Sequence, residues 1–336
     1  MSSITRGLVQ AAAAVASLGI LAAALDRFLN PYYYQVLVLI GLNMILAVSL
    51  NLINGFTGLF SIGHAGFMAT GAYTAAALSV YGGGAIHAAL DPTTGPGAAD
   101  VAVLAIALAA GGLAAALAGL VVGIPALRLK SDYLAIATLG FGEIIRVIIL
   151  NLDFVGGARG FGDIPSLAGF FWVYLFVAIT VVTVRRIVRS ARGLAFLAVR
   201  EDDLAAGVMG IDSTRYKVTA FVVGSFFAGI AGGLFAHFLT YLHTNSFTFM
   251  RSIEIIVMVV LGGMGSLTGS VTAAALLTVL PELLRPLKEF RMVIYSALLI
   301  VLMLTRPQGV LGHRELSLGW LRDWLRSWSA KRGLAS

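Results

Sequence analysis

Two residues of opposite charge lie near the middle of a long apolar stretch that runs from Tyr133 to Leu152. Glu143 and Arg146 are three positions apart, so a helix places them on one face. A charge inside such a helix is costly and usually faces a protein interior or an aqueous path. The pair can therefore line a route for a polar solute, or it can be a buried ion pair that fixes helix packing. The sequence leaves both interpretations open.

Other polar residues and glycines in apolar stretches are weaker candidates for the same route. An asparagine in such a stretch is more often a hydrogen-bond partner between helices than a ligand group. A helix broken at the glycine cluster from Gly262 to Gly269 exposes backbone groups that can bind a polar solute, although a plain turn between two short helices is the simpler interpretation. The candidates for lining a path are Asn43, Asn51, Glu143, Arg146, Gly263 and Gly265.

The motifs of several catalytic chemistries are missing from the sequence. None of the four lysines follows a glycine, so there is no phosphate-binding loop that ends in Gly-Lys. Cysteine is absent, no His-x-x-x-His spacing occurs, and no Ser/His/Asp set stands out. We therefore expect neither catalysis nor a bound metal or cofactor in this chain.

The longest polar segment between two apolar runs extends from Arg185 to Lys217 and contains seven Lys or Arg residues. Asp202 or Asp203 can cap a short helix at its N-terminus, and Gly210 can end that helix. The apolar residues of this helix share one face at i, i+4 and i+7. They are Leu204, Val208 and Ile211. Such a face outside a bilayer needs a protein partner, or the helix folds back on its own bundle.

The composition is that of a protein embedded in a membrane. Only 12% of the 336 residues are charged, 59% are apolar, and the mean hydropathy is +0.93. A soluble domain with this composition would expose large apolar patches. The net charge of +7 could suggest nucleic acid as a partner. Because the basic residues lie in loops and in the tail between apolar stretches, membrane orientation explains them better, and we expect no nucleic-acid binding.

A helix needs about 20 mostly apolar residues to cross the hydrocarbon core. Such stretches predict an all-α, polytopic integral membrane protein with about ten transmembrane or re-entrant helices. The run from Ser252 to Leu284 is too long for one helix, so we divide it at its glycines into two short spans. The loop 82–100 is expected to be irregular because of its Gly and Pro content. The other predicted spans are Leu8–Leu25, Tyr33–Ile53, Phe60–Tyr81, Val101–Ile124, Tyr133–Leu152, Leu167–Val184, Val218–Leu242 and Met292–Thr305.

The distribution of Lys and Arg orients these spans, because cytoplasmic loops carry an excess of both. With ten crossings, sixteen of the 23 Lys and Arg residues fall on the side of the basic segment, and six, among them Arg251, fall on the other. We therefore expect the basic segment and both termini in the cytoplasm. Residues 1–305 should form the transmembrane domain, and residues 306–336 a basic tail whose amphipathic helix, with three tryptophans in register, lies on membrane lipid.

Five separated stretches occur in the order found in one known family. They are GLNMILAVSLNLINGFTGLFSIGHAGFMATGAY at 41–73, SDYLAIATLGFGEIIRVIILNLDFVGGARGFGDIP at 131–165, the segment 192–235, VVLGGMGSLTGS at 259–270 and TRPQGVLG at 305–312. Together they resemble the inner-membrane permease of bacterial branched-chain amino acid ABC importers, of the M type. The resemblance covers most of the chain from Tyr32 to Gly312.

This resemblance implies a set of partners. Two similar permease subunits, usually this type with a shorter H-type paralogue, would form the pathway in the bacterial inner membrane. Two ATP-binding cassette ATPase subunits would bind their cytoplasmic loops and hold the ATP. A periplasmic substrate-binding protein would deliver the amino acid.

The resemblance also assigns the basic segment to the loop that docks into the ATPase. The general pattern of that loop is Glu-Ala-Ala, three residues, Gly; here Ala205, Ala206 and Gly210 match it, and Leu204 stands at the Glu position. The implied coupling residues are Glu201, Asp202, Asp203, Leu204, Ala205, Ala206, Val208, Gly210 and Ile211.

The function predicted from the resemblance is import of leucine, isoleucine or valine by alternating access, with ATP hydrolysis in a separate subunit. Related permeases carry urea, short amides, aromatic acids or sugars, so these cargoes remain alternatives. A stand-alone secondary transporter would be expected to show a proton or sodium site in the membrane. An intramembrane enzyme would need a set of catalytic residues at the same depth in the membrane, and the sequence shows no such set.

Overall fold

The computed structural model describes residues 3–94, 96–126, 131–305 and Gly309. In this part of the chain the regular structure is helical, apart from one isolated antiparallel bridge between Phe161 and Leu242. Six helical segments are long and apolar enough to cross a membrane by length and composition, and Leu267–Leu283 is a shorter apolar helix. The predicted all-α, polytopic fold is therefore confirmed, while ten is an approximate count of the segments that enter the bilayer.

The described residues form the following helices, numbered in chain order. They are α1 (Ser3–Phe28), α2 (Pro31–Asn51), α3 (His64–Ala77), α4 (Gly83–Thr94), α5 (Pro96–Ala126), α6 (Ser131–Leu150), α7 (Phe170–Val188), α8 (Ala191–Glu201), α9 (Asp203–Val208), α10 (Ser213–Leu239), α11 (Phe249–Gly262), α12 (Leu267–Leu283) and α13 (Arg291–Thr305). Short π-helical turns continue α2 over Leu52–Phe56 and join α3 to α4 over Leu78–Gly82. Apart from Gly309, the predicted tail 306–336 lies outside the described residues, as do residues 127–130.

Two expectations about the ends of helices are wrong. The stretch 82–100 is largely helical, because α4 follows α3 and Pro96 takes the first position of α5, where its missing N–H costs nothing. The predicted span Phe60–Tyr81 becomes helical only at His64. The side chain of Thr138 in α6 helps to hold the segment before His64 in a non-helical form, because its Oγ1 accepts a hydrogen bond from the backbone N–H of Ile62 (3.0 Å).

The core of the bundle lies where α2, α3, α5 and α10 pack together. Most of α2 and α10 is buried, whereas only 22% of the α6 span and 17% of the α7 span are buried in the isolated chain. Glycines allow three of these helices to approach closely. A β-carbon on Gly71 of α3 would lie 2.2 Å from Cα of Gly229 in α10, and one on Gly229 would lie 2.7 Å from the carbonyl oxygen of Gly111 in α5. Small residues commonly serve such close packing in membranes.

Two helices begin inside the bundle rather than at its surface. The apolar span that contains α2 runs from Pro31 to Phe56, and Asn43 lies near its middle. Asn43 Oδ1 accepts a hydrogen bond from Arg251 Nη2 (2.6 Å), so α11, whose third residue is Arg251, starts at this depth. The backbone N–H of Ala65 donates to Ser252 Oγ (3.1 Å), which places the first turn of α3 at a similar depth.

The expectation that Arg251 lies outside the membrane is therefore wrong. After the bridge at Leu242, the chain turns into the bundle with only one 3-10 turn, Thr244–Phe247, before α11 begins. The ring of Phe247 packs on Tyr73 of α3 and Phe235 of α10. Non-helical backbone is tolerated at this depth because it is buried in protein. The sequence carries no periodic pattern that marks such an entry.

We expect Gly71→Ala to destabilise the bundle, because the added methyl group meets backbone atoms of α10 that cannot rotate away. Overpacking of this kind costs about 1–3 kcal/mol. The thermal midpoint of unfolding in detergent should fall below that of the wild type. Gly140→Ala in α6 is the matched control, since a β-carbon there meets nothing within 4 Å. An equal midpoint for both variants would contradict the close approach of α3 and α10.

Candidate functional site

Most of the basic segment 185–217 is helical. The helix α7 continues to Val188, and α8, which the sequence analysis did not predict, follows directly. The side chain of Phe196 in α8 is buried in a cluster with Val184 of α7 and Ala220 of α10, and its ring meets that of Tyr216 edge to face. This packing holds α8 against the bundle and gives the next helix a fixed base.

The short helix α9 has the predicted cap and stop. Asp202 Oδ1 accepts hydrogen bonds from the backbone N–H groups of Leu204 (2.9 Å) and Ala205 (3.0 Å), as an N-cap residue does. Gly210 has a φ of +84°, which lets the N–H of Ile211 return to the carbonyl of Ala206 (3.0 Å). The predicted short helix is therefore confirmed, and of its two candidate caps Asp202 is the one that the structure has.

The apolar residues of α9 point away from the bundle. The residues Leu204 and Val208 are 84% and 89% exposed, and Ala206 faces inward and is buried. The face differs in one respect from the expectation, because Ile211 is partly buried and Met209 is exposed instead. The turn at Gly210 causes this difference, since it ends the helical register before Ile211.

An ion pair attaches α9 to α10. Lys217 Nζ lies 2.6 Å from Asp203 Oδ2. Burial raises the pKa of the Asp203 carboxyl, but the hydrogen bonds of Lys217 and Ser213 and the charge of Lys217 together lower it by more, so the pKa lies below its usual value. The carboxylate therefore stays charged at neutral pH, and the pair is lost only in acid.

A second connection runs through Arg200, at the end of α8. Arg200 Nη1 donates to the carbonyl oxygen of Gly55 (3.2 Å), at the end of the α2 span, and Nη2 lies 2.6 Å from Glu201 Oε1. A β-carbon on Gly265 would lie 3.1 Å from Nη1. The guanidinium thus sits between the end of the α2 span and the turn that joins α11 to α12. Sequence analysis missed this role, because Arg200 is one of seven basic residues with no distinguishing neighbour.

The turn between α11 and α12 is held by Asn51. Its Nδ2 donates to the carbonyl oxygen of Ser266 (2.9 Å), and its Oδ1 accepts from the backbone N–H of Gly265 (2.9 Å). The residues Gly263 and Gly265 have φ values of +105° and +86°, which favour glycine. Three of the candidate path residues, Asn51, Gly263 and Gly265, therefore lie together beside Arg200, at the end of the bundle that carries the basic segment.

The candidate Asn43 lies deeper and belongs to a different cluster. Its Nδ2 donates to Thr278 Oγ1 of α12 (2.8 Å), and its Oδ1 accepts from Arg251. Arg251 Nη1 also lies 2.8 Å from Glu254 Oε2. Sequence analysis missed Arg251 and Glu254 because it took this region as the surface end of a span.

Glu143 and Arg146 form the ion pair that their spacing predicts. Arg146 Nε lies 2.7 Å from Glu143 Oε2, and both side chains are partly exposed on the surface of the isolated chain. Glu143 lines a shallow cleft together with Phe249 and Ser252 at the start of α11. In the part of the chain that the structure describes, no group of three or more His, Cys, Asp or Glu side chains could hold a metal.

These features define a class: a polytopic α-helical membrane protein with an exposed, capped helix on its basic segment. The chain belongs to the family described as the permease component of branched-chain amino acid transport systems, whose pattern matches residues 32–304.

Curated relatives agree with this family. The chain is 36% identical over 303 residues to the high-affinity branched-chain amino acid transport system permease protein LivM of Escherichia coli K12, which covers 80% of this chain and 67% of that protein. It is 26% identical over 333 residues to the probable branched-chain amino acid transport permease protein LivM of Methanocaldococcus jannaschii, covering 84% and 94%. The LivH permease protein of the Escherichia coli K12 system is 30% identical over 166 residues, covering 48% and 53%. No solved structure matches the chain significantly.

We expect Asn51→Leu to weaken the turn between α11 and α12, because the backbone N–H of Gly265 loses its acceptor. A buried donor without a partner costs about 1–3 kcal/mol. The thermal midpoint in detergent should fall. Asn151→Leu is a suitable control, since the Asn151 amide bonds to the carbonyl of Val147 at the exposed end of α6. A loss for Asn151→Leu as large as that for Asn51→Leu would contradict the assignment.

Proposed function

We propose that this chain is the membrane-spanning subunit of an ATP-driven importer of leucine, isoleucine and valine. The observation that carries the proposal is the exposed apolar surface of α9, presented on the basic segment of a chain from this permease family. A stand-alone transporter has no need of such a surface. The names of the relatives support branched-chain amino acids as the cargo.

The proposed orientation places the basic segment in the cytoplasm of a bacterial inner membrane. The Lys and Arg residues are concentrated in that segment, as in cytoplasmic loops generally. Arg200 contacts Gly55 and lies beside Gly265, so the end of the α2 span and the turn between α11 and α12 share this side. The bridge between Phe161 and Leu242 then faces the periplasm, where a binding protein would deliver the solute.

The partners proposed for the complex are two ATPase subunits and a second permease. The exposed apolar surface of α9 would insert into a cleft on an ATPase subunit. It consists of the side chains of Leu204, Val208 and Met209. The match to LivH, which covers 48% of this chain, supports a paralogous permease as the second membrane subunit. ATP would be bound and hydrolysed in the ATPase subunits, with this chain as a non-catalytic partner.

Movement of α9 has two routes into the membrane part of the chain. The ion pair between Asp203 and Lys217 joins α9 to the start of α10. The contacts of Arg200 join the end of α8 to Gly55 and to the turn at Gly265. Closure of the ATPase pair on ATP would shift both connections together and switch the pathway between its two openings, as in other rigid-body transitions.

The double variant Leu204→Asp plus Val208→Asp should lose the ATPase on co-purification in mild detergent. Two charges replace the apolar surface that the partner must bury, and neither side chain packs against the bundle, so folding should be unaffected. The control is Leu152→Asp plus Phe154→Asp, two exposed apolar residues in the loop on the opposite side, which should retain the ATPase.

Mass identification of the partners of the wild type tests the proposal itself. The expected set is an ATPase and a paralogous permease. Recovery of this chain alone, with transport intact, would overturn the importer and favour a secondary transporter.

The Arg200→Ala variant should keep its ATPase but transport less leucine per ATP hydrolysed. A residue that couples two sites typically contributes 0.5–2 kcal/mol, so we expect a decrease of about twofold to thirtyfold. Arg192→Ala is the control, because Arg192 is an exposed arginine of the same helix. Transport and ATP hydrolysis are measured together in proteoliposomes. Equal coupling ratios for the two variants would remove Arg200 from the route.

A further inference from the structure

Two ion pairs lie at the same depth in the membrane part of the chain. The pair Arg251–Glu254 lies at the level of Asn43, near the middle of the α2 span. Glu143, whose partner is Arg146, lies near the middle of α6. A β-carbon on Gly66, one residue beyond Ala65, would lie 2.8 Å from Cα of Gly142, which places Glu143 at the level of the first turn of α3. The first turn of α3 contacts Ser252, so both pairs share one depth.

The two ion pairs lie on either side of the exposed face of α11, because Ser252, which lines the cleft of Glu143, and Glu254 are about 200° apart around the helix. The cleft that contains Glu143 is bounded on its other side by Phe249 and Ser252 of α11, which precede Glu254 by five and two residues. Its remaining wall includes the apolar side chains Ile62 and Phe247. We call the exposed residues of α6 and α11 the α6–α11 surface; it has the pair Glu143–Arg146 on one side, the pair Arg251–Glu254 on the other, and exposed apolar residues of α11 between them.

The α6–α11 surface cannot face lipid at low cost. The side chains of Glu254 and Glu143 are 52% and 35% exposed in the isolated chain. A charged side chain at the bilayer centre costs about 2.5–3.5 kcal/mol even on insertion scales. The exposed face of α5 shows what a lipid-facing surface of this chain looks like, since Ile106, Leu113, Leu117 and Val121 are all exposed and apolar.

We propose that the α6–α11 surface lines the aqueous path and contacts a zwitterionic amino acid with an aliphatic side chain. Each ion pair offers a carboxylate to the α-ammonium group and a guanidinium to the α-carboxylate, while Ile62, Phe247 and Phe249 accept the side chain. A sugar or urea carries no formal charge, so it can hydrogen-bond to the ion pairs but gains no attraction between opposite formal charges. The identity of the solute rests on the proposed function, whereas the location of the path does not.

Cysteine accessibility tests the location directly, because the chain contains no cysteine of its own. Met250→Cys and Val147→Cys place a thiol one helical turn from Glu254 and Glu143 and leave both ion pairs intact. The Leu113→Cys variant is the control, since Leu113 is 59% exposed near the middle of the α5 span. A thiol reacts as its thiolate, which forms in water and not in lipid.

The assembled complex, in lipid nanodiscs open to both sides, is treated with a charged methanethiosulfonate, and labelling of this chain is followed by mass. We expect Met250→Cys and Val147→Cys to react at least about tenfold faster than Leu113→Cys, because only an aqueous site allows thiolate to form. Saturating leucine should slow both reactions. Rates as slow as that of Leu113→Cys would mean that lipid or a dry subunit contact covers the surface, and would overturn the proposal.

The outcomes also separate this proposal from the proposed function. If the complex transports leucine but leucine leaves both labelling rates unchanged, the contact between solute and this surface is wrong. If the two thiols react rapidly but the complex does not transport leucine, the path stands and the branched-chain cargo is wrong.

Discussion

The structure depends on one constraint: polar groups inside the membrane part of the chain must find partners within the protein. Several backbone segments there are not helical, so their N–H groups lack the hydrogen-bond acceptors that a helix provides. Side chains act as the acceptors instead. Asn54 Oδ1 accepts from the N–H of Ser61 before α3, Ser252 Oγ accepts from Ala65, and Asn51 Oδ1 accepts from Gly265. The asparagines and serines of this bundle therefore make its broken helices possible, and the same bonds fix which helices are neighbours.

The same constraint explains why polar residues divide into two groups. At the end near Arg200, polar side chains bond to backbone groups and hold a turn and a loop in place. At the level of Asn43, side chains bond to one another as ion pairs and remain partly open at the surface of the chain. The first group stabilises the backbone of a turn and a loop. The second group has charged atoms that are accessible to a molecule outside the chain.

The sequence predicts most of the long apolar helices, the cap of α9 and the break between α11 and α12, because each has a local signal. Apolar stretches of sufficient length mark the spans, Asp202 precedes a short amphipathic pattern, and four glycines interrupt the run that ends at Leu284. The depth of Arg251 has no such signal. It follows from a contact with Asn43, 208 positions away, and from a chain that enters the bundle without regular structure. The role of Arg200 likewise depends on Gly55, 145 positions away.

The helix α11 has a mechanical consequence. Its 14 residues form a rod about 21 Å long, with the ion pair of Arg251 at one end and the turn beside Arg200 at the other. A helix is stiff along its axis, so a push of an ångström at the turn arrives at the ion pair nearly undiminished. The movement driven by ATP would then act on one end of α11, and the solute would be contacted at the other end. No relay of side chains is needed between them.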